Sequence, residues 1–199
     1  GLLVVEDDVY HQLWYDSPPP PSLYSLAPGG TVVRLGSFSK IMAPGLRLGW
    51  MTAAPEIIQC CVKSGVLDSG GGVGHFTGHI VAAFIELGLL DRQVEKLRRN
   101  YRTRRDTLLN ALADHLPREC RWMAPGGGFF IWLRLPDGID SAEFLPIAEA
   151  AGVSYIPGKR FHKDGAGENF CRLNFTMVQF DELKEGARRL GAVLRDYRQ

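Results

Sequence analysis

The chain has 199 residues, 45% hydrophobic and 23% charged, with a formal net charge of +1. That length is enough to bury a core, the near-neutral balance argues against electrostatic capture by nucleic acid or an anionic membrane, and no apolar run approaches the roughly eighteen residues of a membrane span. Cys60, Cys61, Cys120 and Cys171 include one adjacent pair and no C-x-x-C, which is neither a disulfide framework nor zinc spacing and reads as reduced thiols in a cytosolic setting.

In chain order, "GLLVVEDD" opens without methionine in an apolar run, and residues 2–7 read as a fully buried parallel strand ending in Glu6-Asp7-Asp8. Such a strand needs neighbours on both sides, so the sequence is expected to be the C-terminal part of a longer protein. The Pro- and Gly-rich stretch 16–30 reads as a surface loop. "TVVRLGSFS" (31–39) and "LRLGWMTA" (46–53) read as further strands, with a turn over 40–45 between them. Residues 55–65 carry helical spacing, with Pro55 at the first position and Gly65 at the end. "DSGGGVGHF" (68–76) reads as a flexible break, followed by a helix through about Leu87.

Residues 91–116 form a long basic helix, expected to turn Val94, Leu97, Tyr101, Leu108 and Leu112 inward and its basic side to water. Beyond Pro117 the pattern changes to an aromatic strand pair or bulged strand (121–136), a helix (141–152), strands over 153–161 and 169–176, and a closing helix over 181–197. Short strands with helices on one side make an α+β layer. A boundary is therefore placed near residue 117, giving 1–117 and 118–199.

The chemistry gathers at strand ends, where ligands bind in open α/β sheets. Asp7 and Tyr10 follow the first strand, and Ser37, Ser39 and Lys40 follow the second. Taken alone, Asp7 reads as a solvated carboxylate and Tyr10 as a packed ring. Together the two strand ends face one crevice with acid, phenol, hydroxyls and amine. Lysine is nucleophilic as the free amine, which burial and a neighbouring cation such as Arg47 favour. The Arg47 fork and the serine hydroxyls suit phosphate, and Asp7 would keep a ring nitrogen protonated, making that ring an electron sink. Aldehyde, phosphate and basic ring nitrogen together describe pyridoxal phosphate.

"VVEDDVY", "SFSKIMAPGLRLGW", "PGGGFFIWLRLP" and "CRLNFT" give the chain its resemblance to the C-terminal half of fold-type I, class I/II aminotransferases, closest to the 2-aminoadipate and aromatic or multisubstrate branch. The serine-flanked lysine followed by Pro-Gly-x-Arg resembles the family's Schiff-base motif. The resemblance implies an α/β fold: the C-terminal part of a mostly parallel, cofactor-binding large domain, then a small α+β domain. It implies that Lys40 joins the cofactor and moves the proton at the substrate's Cα, that Asp7 pairs with the pyridine nitrogen, and that Tyr10 donates to the phenolic oxygen. Ser37 and Arg47 would bind the phosphate, Ser39 would assist, and Arg172 would clamp the substrate α-carboxylate.

The implied reaction is ping-pong transamination between an amino acid and a 2-oxo acid, in a cytoplasmic homodimer whose activity belongs to the full-length protein. A lyase on the same scaffold, or the effector domain of a transcription regulator with a DNA-binding domain upstream, are the alternatives. Glu6 and Asp8 are read as strand-end solvation. No histidine pair is read as having metal-ligand spacing, so no metal is expected, and His75 is a candidate to line the site across a dimer interface.

Overall fold

The computed structural model describes residues 2–27 and 29–197. It divides into two compact units, Gly1–Arg98 and Arg99–Gln199, with the division inside the long helix rather than after it.

The first unit begins with β1 (Val4–Asp7), followed by the single helical turn α1 (Leu23–Leu26), β2 (Val32–Ser37) and, after a 3-10 turn over Pro44–Leu46, β3 (Gly49–Thr52). The sheet order is β1-β2-β3. β1 and β2 are parallel, with Asp7 opposite Leu35, whereas β2 and β3 are antiparallel, with Ser37 opposite Gly49. The consecutive Val32 and Val33 are both buried, as expected for a central strand covered on two faces. The full burial expected of β1 is not found. It is an edge strand of this sheet, and Val5 is 60% exposed on its uncovered side.

Helices α2 (Pro55–Val62), α3 (Gly65–Asp68), α4 (His75–Glu86) and α5 (Leu89–His115) follow. Pro55 opens α2 at a position whose missing N–H costs nothing. The break expected at 68–76 is shorter than its glycines suggest, because α3 occupies its first residue and α4 starts at His75. The first part of α5 buries Val94. It also steadies the segment after β1: Arg98 Nε donates to the Gln12 carbonyl at 2.7 Å, and its guanidinium lies 4.1 Å from the Trp14 ring centroid.

The second unit carries β4 (Arg121–Trp122), β5 (Phe130–Arg134), α6 (Ser141–Ala150), β6 (Ile156–Pro157) and, after a 3-10 turn over Gly158–Phe161, β7 (Phe170–Asn174) and α7 (Phe180–Tyr197). All pairings in its four-stranded sheet, ordered β4-β5-β7-β6, are antiparallel. The strand expected over 153–161 shrinks to two residues, because the Gly158 turn takes the chain out of the ladder.

Strand alternation sends Ile131 and Leu133 of β5 and Cys171 and Leu173 of β7 into the core. There they join Phe144 and Ala148 of α6, Leu183, Ala187, Leu190 and Leu194 of α7, and Leu108 and Leu112 of α5 among the buried residues. Each buried Leu, Ile or Phe among them contributes roughly 1.5–3 kcal/mol. Asp140 caps α6 by accepting from Ala142 N at 2.8 Å. One position departs from the solvated basic face expected of α5. Arg105 is buried, paired with Asp106 and donating to the Pro125 carbonyl at 2.8 Å.

Candidate active site

β1 and β2 run parallel, so their carboxyl ends, carrying Asp7 and Ser37, lie at one end of the sheet. Beyond β2 the chain closes a helical turn: Met42 N and Ala43 N both donate to the Phe38 carbonyl, at 2.8 and 3.2 Å. Ile41 plugs this turn into the core with 1% of its surface exposed, which leaves its neighbour Lys40 half-buried. Phe38 packs against Trp50 of β3 at 4.8 Å between centroids. Gly36 is required here, since a Cβ on it would lie 2.1 Å from the Trp50 indole.

Tyr10 is placed by a second turn, in which His11 N donates to the Asp8 carbonyl and Leu13 N to the Tyr10 carbonyl, anchored by the fully buried Leu13. Lys40 Nζ lies 5.8 Å from the Tyr10 ring centroid. The lysine of one strand end and the tyrosine of the other are thus brought together, as the sequence predicts.

Three adjacent acids stand at the end of β1, Asp8 just beyond it, in different surroundings. Glu6 accepts from the backbone N–H groups of Leu23 and Tyr24, at 2.7 and 3.1 Å, and so holds the N-terminus of α1. Asp8 accepts from Arg34 at 2.6 Å and lies 3.2 Å from His11 Nδ1. The solvated role expected of Glu6 and Asp8 is therefore corrected: Glu6 is engaged by the α1 backbone and Asp8 by Arg34, groups too distant in sequence for local pattern to reveal. Asp7 is exposed, and among the described residues no hydrogen bond or ion pair engages its carboxylate.

Ser37 Oγ accepts from Ser39 N at 3.1 Å, which uses a lone pair and leaves the hydroxyl proton to donate. Arg47, after the Pro44–Leu46 turn, has φ 51° and ψ 37°, the one non-glycine residue with positive φ among those described. Its guanidinium is exposed and donates to the Pro44 carbonyl at 3.3 Å. Residues held in this region by their surroundings gather at ligand sites.

In the second unit, Arg172 stands on β7 between Trp132 of β5 and Ile156 of β6. Its guanidinium carbon lies 3.9 Å from the Phe130 centroid and 4.6 Å from that of Phe161. Its Nε is buried without an acceptor. A buried cationic donor left unpaired is costly, and an anion is the group that would satisfy it. The neighbouring Cys171 faces the core, where burial pushes its thiol far above the ordinary range. The sequence reading singles out Arg172 but not Phe130 and Phe161, which lie against its guanidinium; their signal is the period-two aromatic pattern of "FFIW" and the Phe three residues past Gly158.

His75 and His79, four apart on α4, place their Nε2 atoms 3.3 Å from each other. This corrects the reading that no histidine pair has chelating spacing. No group of three or more His, Cys, Asp or Glu side chains able to hold a metal exists among the described residues.

The parallel strand ends with their lysine turn define a cofactor-type site on an α/β sheet. The model of the aminotransferase class I and II family matches residues 1–190, and the chain belongs to that family. Aromatic-amino-acid aminotransferase 1 of Thermococcus litoralis is 36% identical over 197 residues, 98% of this chain and 46% of that protein. The Pyrococcus horikoshii kynurenine aminotransferase, solved in complex with PMP, has a TM-score of 0.92 at 39% identity, covering 99% of this chain and 48% of its own. LysN, the α-aminoadipate aminotransferase of Thermus thermophilus, solved with N-(5'-phosphopyridoxyl)-L-leucine, has a TM-score of 0.90 at 35% identity, covering 98% and 51%. The HTH-type transcriptional regulator TauR of Rhodobacter capsulatus is 32% identical over 198 residues, 98% of this chain and 40% of that protein. The chain spans 40–51% of the length of these relatives.

Proposed function

We propose that the full-length protein is a pyridoxal-phosphate-dependent aminotransferase exchanging an amino group between an amino acid and a 2-oxo acid, as a cytoplasmic homodimer. The observation that carries this reading is the Lys40 turn, with its amine held beside Tyr10 at the strand end that also carries Asp7. Pyridoxal phosphate, when bound, supplies an aldehyde and a ring that takes up the electrons released at the substrate's α-carbon.

The residues present fit that group. Asp7 has an uncommitted carboxylate for a protonated ring nitrogen, Ser37 a hydroxyl proton and Arg47 an exposed fork for phosphate, with Ser39 assisting. Lys40 would hold the cofactor at its aldehyde, and its freed amine would move the proton at the substrate's Cα. Tyr10 donates to the cofactor's phenolic oxygen. Arg172, whose buried Nε has no acceptor, would hold the substrate α-carboxylate. No described helix is long and apolar enough to cross a membrane. The boundary near residue 117 is kept as the functional division, with all of α5 counted with the cofactor domain.

The test is borohydride reduction of the full-length protein loaded with pyridoxal phosphate, mapped by peptide mass spectrometry. A pyridoxyl group on Lys40, lost in Lys40→Ala, is expected, and a folded protein with no adduct refutes the assignment. The similarity to TauR favours one second reading, a cofactor-binding effector domain. Formation of a 2-oxo acid with pyridoxamine phosphate supports the enzyme. An amino-acid-dependent change in DNA affinity without that product supports the regulator.

A further inference from the structure

The outward face of the second unit's sheet carries Phe130, Trp132 and Arg134 of β5 and Phe170, Arg172 and Asn174 of β7, the positions alternating with the buried ones. Trp132 is directly opposite Arg172. It lies nearly parallel to Phe170 (5.6 Å, 16°) and meets Phe161 edge-on (5.3 Å, 82°). On the other side Phe130 meets Phe129 at 6.2 Å, and Phe129 meets Tyr101 of α5 at 5.0 Å. The Arg172 guanidinium is the cation within this row of rings, 3.9 Å from Phe130 and 4.6 Å from Phe161.

We infer that Phe130 and Phe161 are positioning residues that clamp the Arg172 guanidinium between two aromatic rings, so that it meets a carboxylate only through its edge. The inference rests on the proposed role of Arg172 and deepens it. A guanidinium donates in its own plane, while its faces attract the negative faces of aromatic rings. Rings over the faces exclude water there and leave the in-plane N–H groups as the means of contact. That selects a planar anion able to accept side by side, as a carboxylate does. Trp132 matters indirectly, because its contacts with Phe170 and Phe161 fix the ring that does the clamping. Arg172 also has no acidic partner among the described residues, so the rings take the place of a counter-ion that would compete with substrate.

The test compares wild type, Phe161→Leu and Phe161→Tyr in the full-length, cofactor-loaded protein. Phe161 is 45% exposed, so neither change opens a core cavity. Calorimetry gives the dissociation constants of 3-phenylpropionate and of its uncharged amide, and their ratio measures how well Arg172 reads a carboxylate. Wild type should prefer the carboxylate, Phe161→Leu should lose roughly tenfold of that preference, and Phe161→Tyr should retain it. The amino-acid KM should rise in parallel in Phe161→Leu, with kcat and the cofactor absorption spectrum little changed. Leucine keeping the wild-type preference, or tyrosine losing as much as leucine, overturns the clamp alone. A wild type with no carboxylate preference overturns the role of Arg172 and the clamp together. Carboxylate preference in a protein that does not turn over amino acids refutes only the aminotransferase reading, and the variant ratios then decide the clamp.

Discussion

Arg47→Gly separates backbone strain from ligand binding at one residue. Arg47 sits at φ 51° and ψ 37°, a conformation that costs an L-residue about 1–2 kcal/mol. Glycine removes that cost but adds about 0.5–1 kcal/mol of chain entropy to the unfolded state. The arginine's own local contact is a 3.3 Å hydrogen bond to Pro44 from an exposed side chain, too long and too wet to stabilise much. The expected balance for the cofactor-free full-length protein is therefore between no change and a gain of about 1 kcal/mol, read from the urea midpoint at constant slope. Losing a charge-assisted contact worth about 1.5–3 kcal/mol should weaken pyridoxal phosphate about 10- to 150-fold, followed by absorbance titration. A variant destabilised by more than about 1 kcal/mol with unchanged cofactor affinity would show that Arg47 serves the turn and not the phosphate.

Gly191→Ala sets helix propensity against packing. Alanine favours the helix by about 1 kcal/mol, but its Cβ would lie 2.1 Å from the His115 carbonyl oxygen, and the forced separation of α5 and α7 costs about 1–3 kcal/mol. The melting temperature should fall by a few degrees, and a rise would mean that the helices yield freely. Asp140→Asn addresses pH. The hydrogen bond from Lys159 holds the Asp140 carboxyl below its ordinary value of 3.8, with backbone donors of α6 adding to the effect. A depressed pKa gives stability that is present above 3.8 and lost as pH falls through the lower folded value. Asn should therefore be less stable at neutral pH, with the gap closing in acid denaturation curves below about pH 4. A gap that persists at pH 2 would assign the effect to shape instead.

Elements with strong periodicity were legible from sequence. The inward set of α5, the closing helix and the β5–β7 strands depend on patterns that one segment carries by itself, and Val94, Leu108 and Leu112 are buried as that pattern requires. The Lys40 turn was legible because it depends on residues near in sequence. What escaped depended on partners. The exposure of Val5 is set by what flanks β1, and the burial of Arg105 by the Pro125 carbonyl. The short β6 follows from a turn that begins one residue after Pro157. Phe161 acquires its relation to Arg172 only when β6 and β7 pair.

The acidic cluster shows why residue type alone could not assign the chemistry at β1. Glu6, Asp7 and Asp8 are three carboxylates in a row, yet Glu6 meets the α1 backbone and Asp8, one residue past the strand, meets Arg34. A carboxylate that must keep a ligand's ring nitrogen protonated needs its negative charge uncompensated. Asp8 is already paired with the Arg34 guanidinium and would stabilise a ring cation less. Glu6 has its oxygens committed to two backbone donors, and withdrawing it would leave the start of α1 unsatisfied. Asp7 alone of the three combines the strand-end position with a free charge. The neighbours contribute by holding the turn that carries Tyr10 and the helix that follows, so in the proposed reaction the three acids would provide one chemical group and two struts.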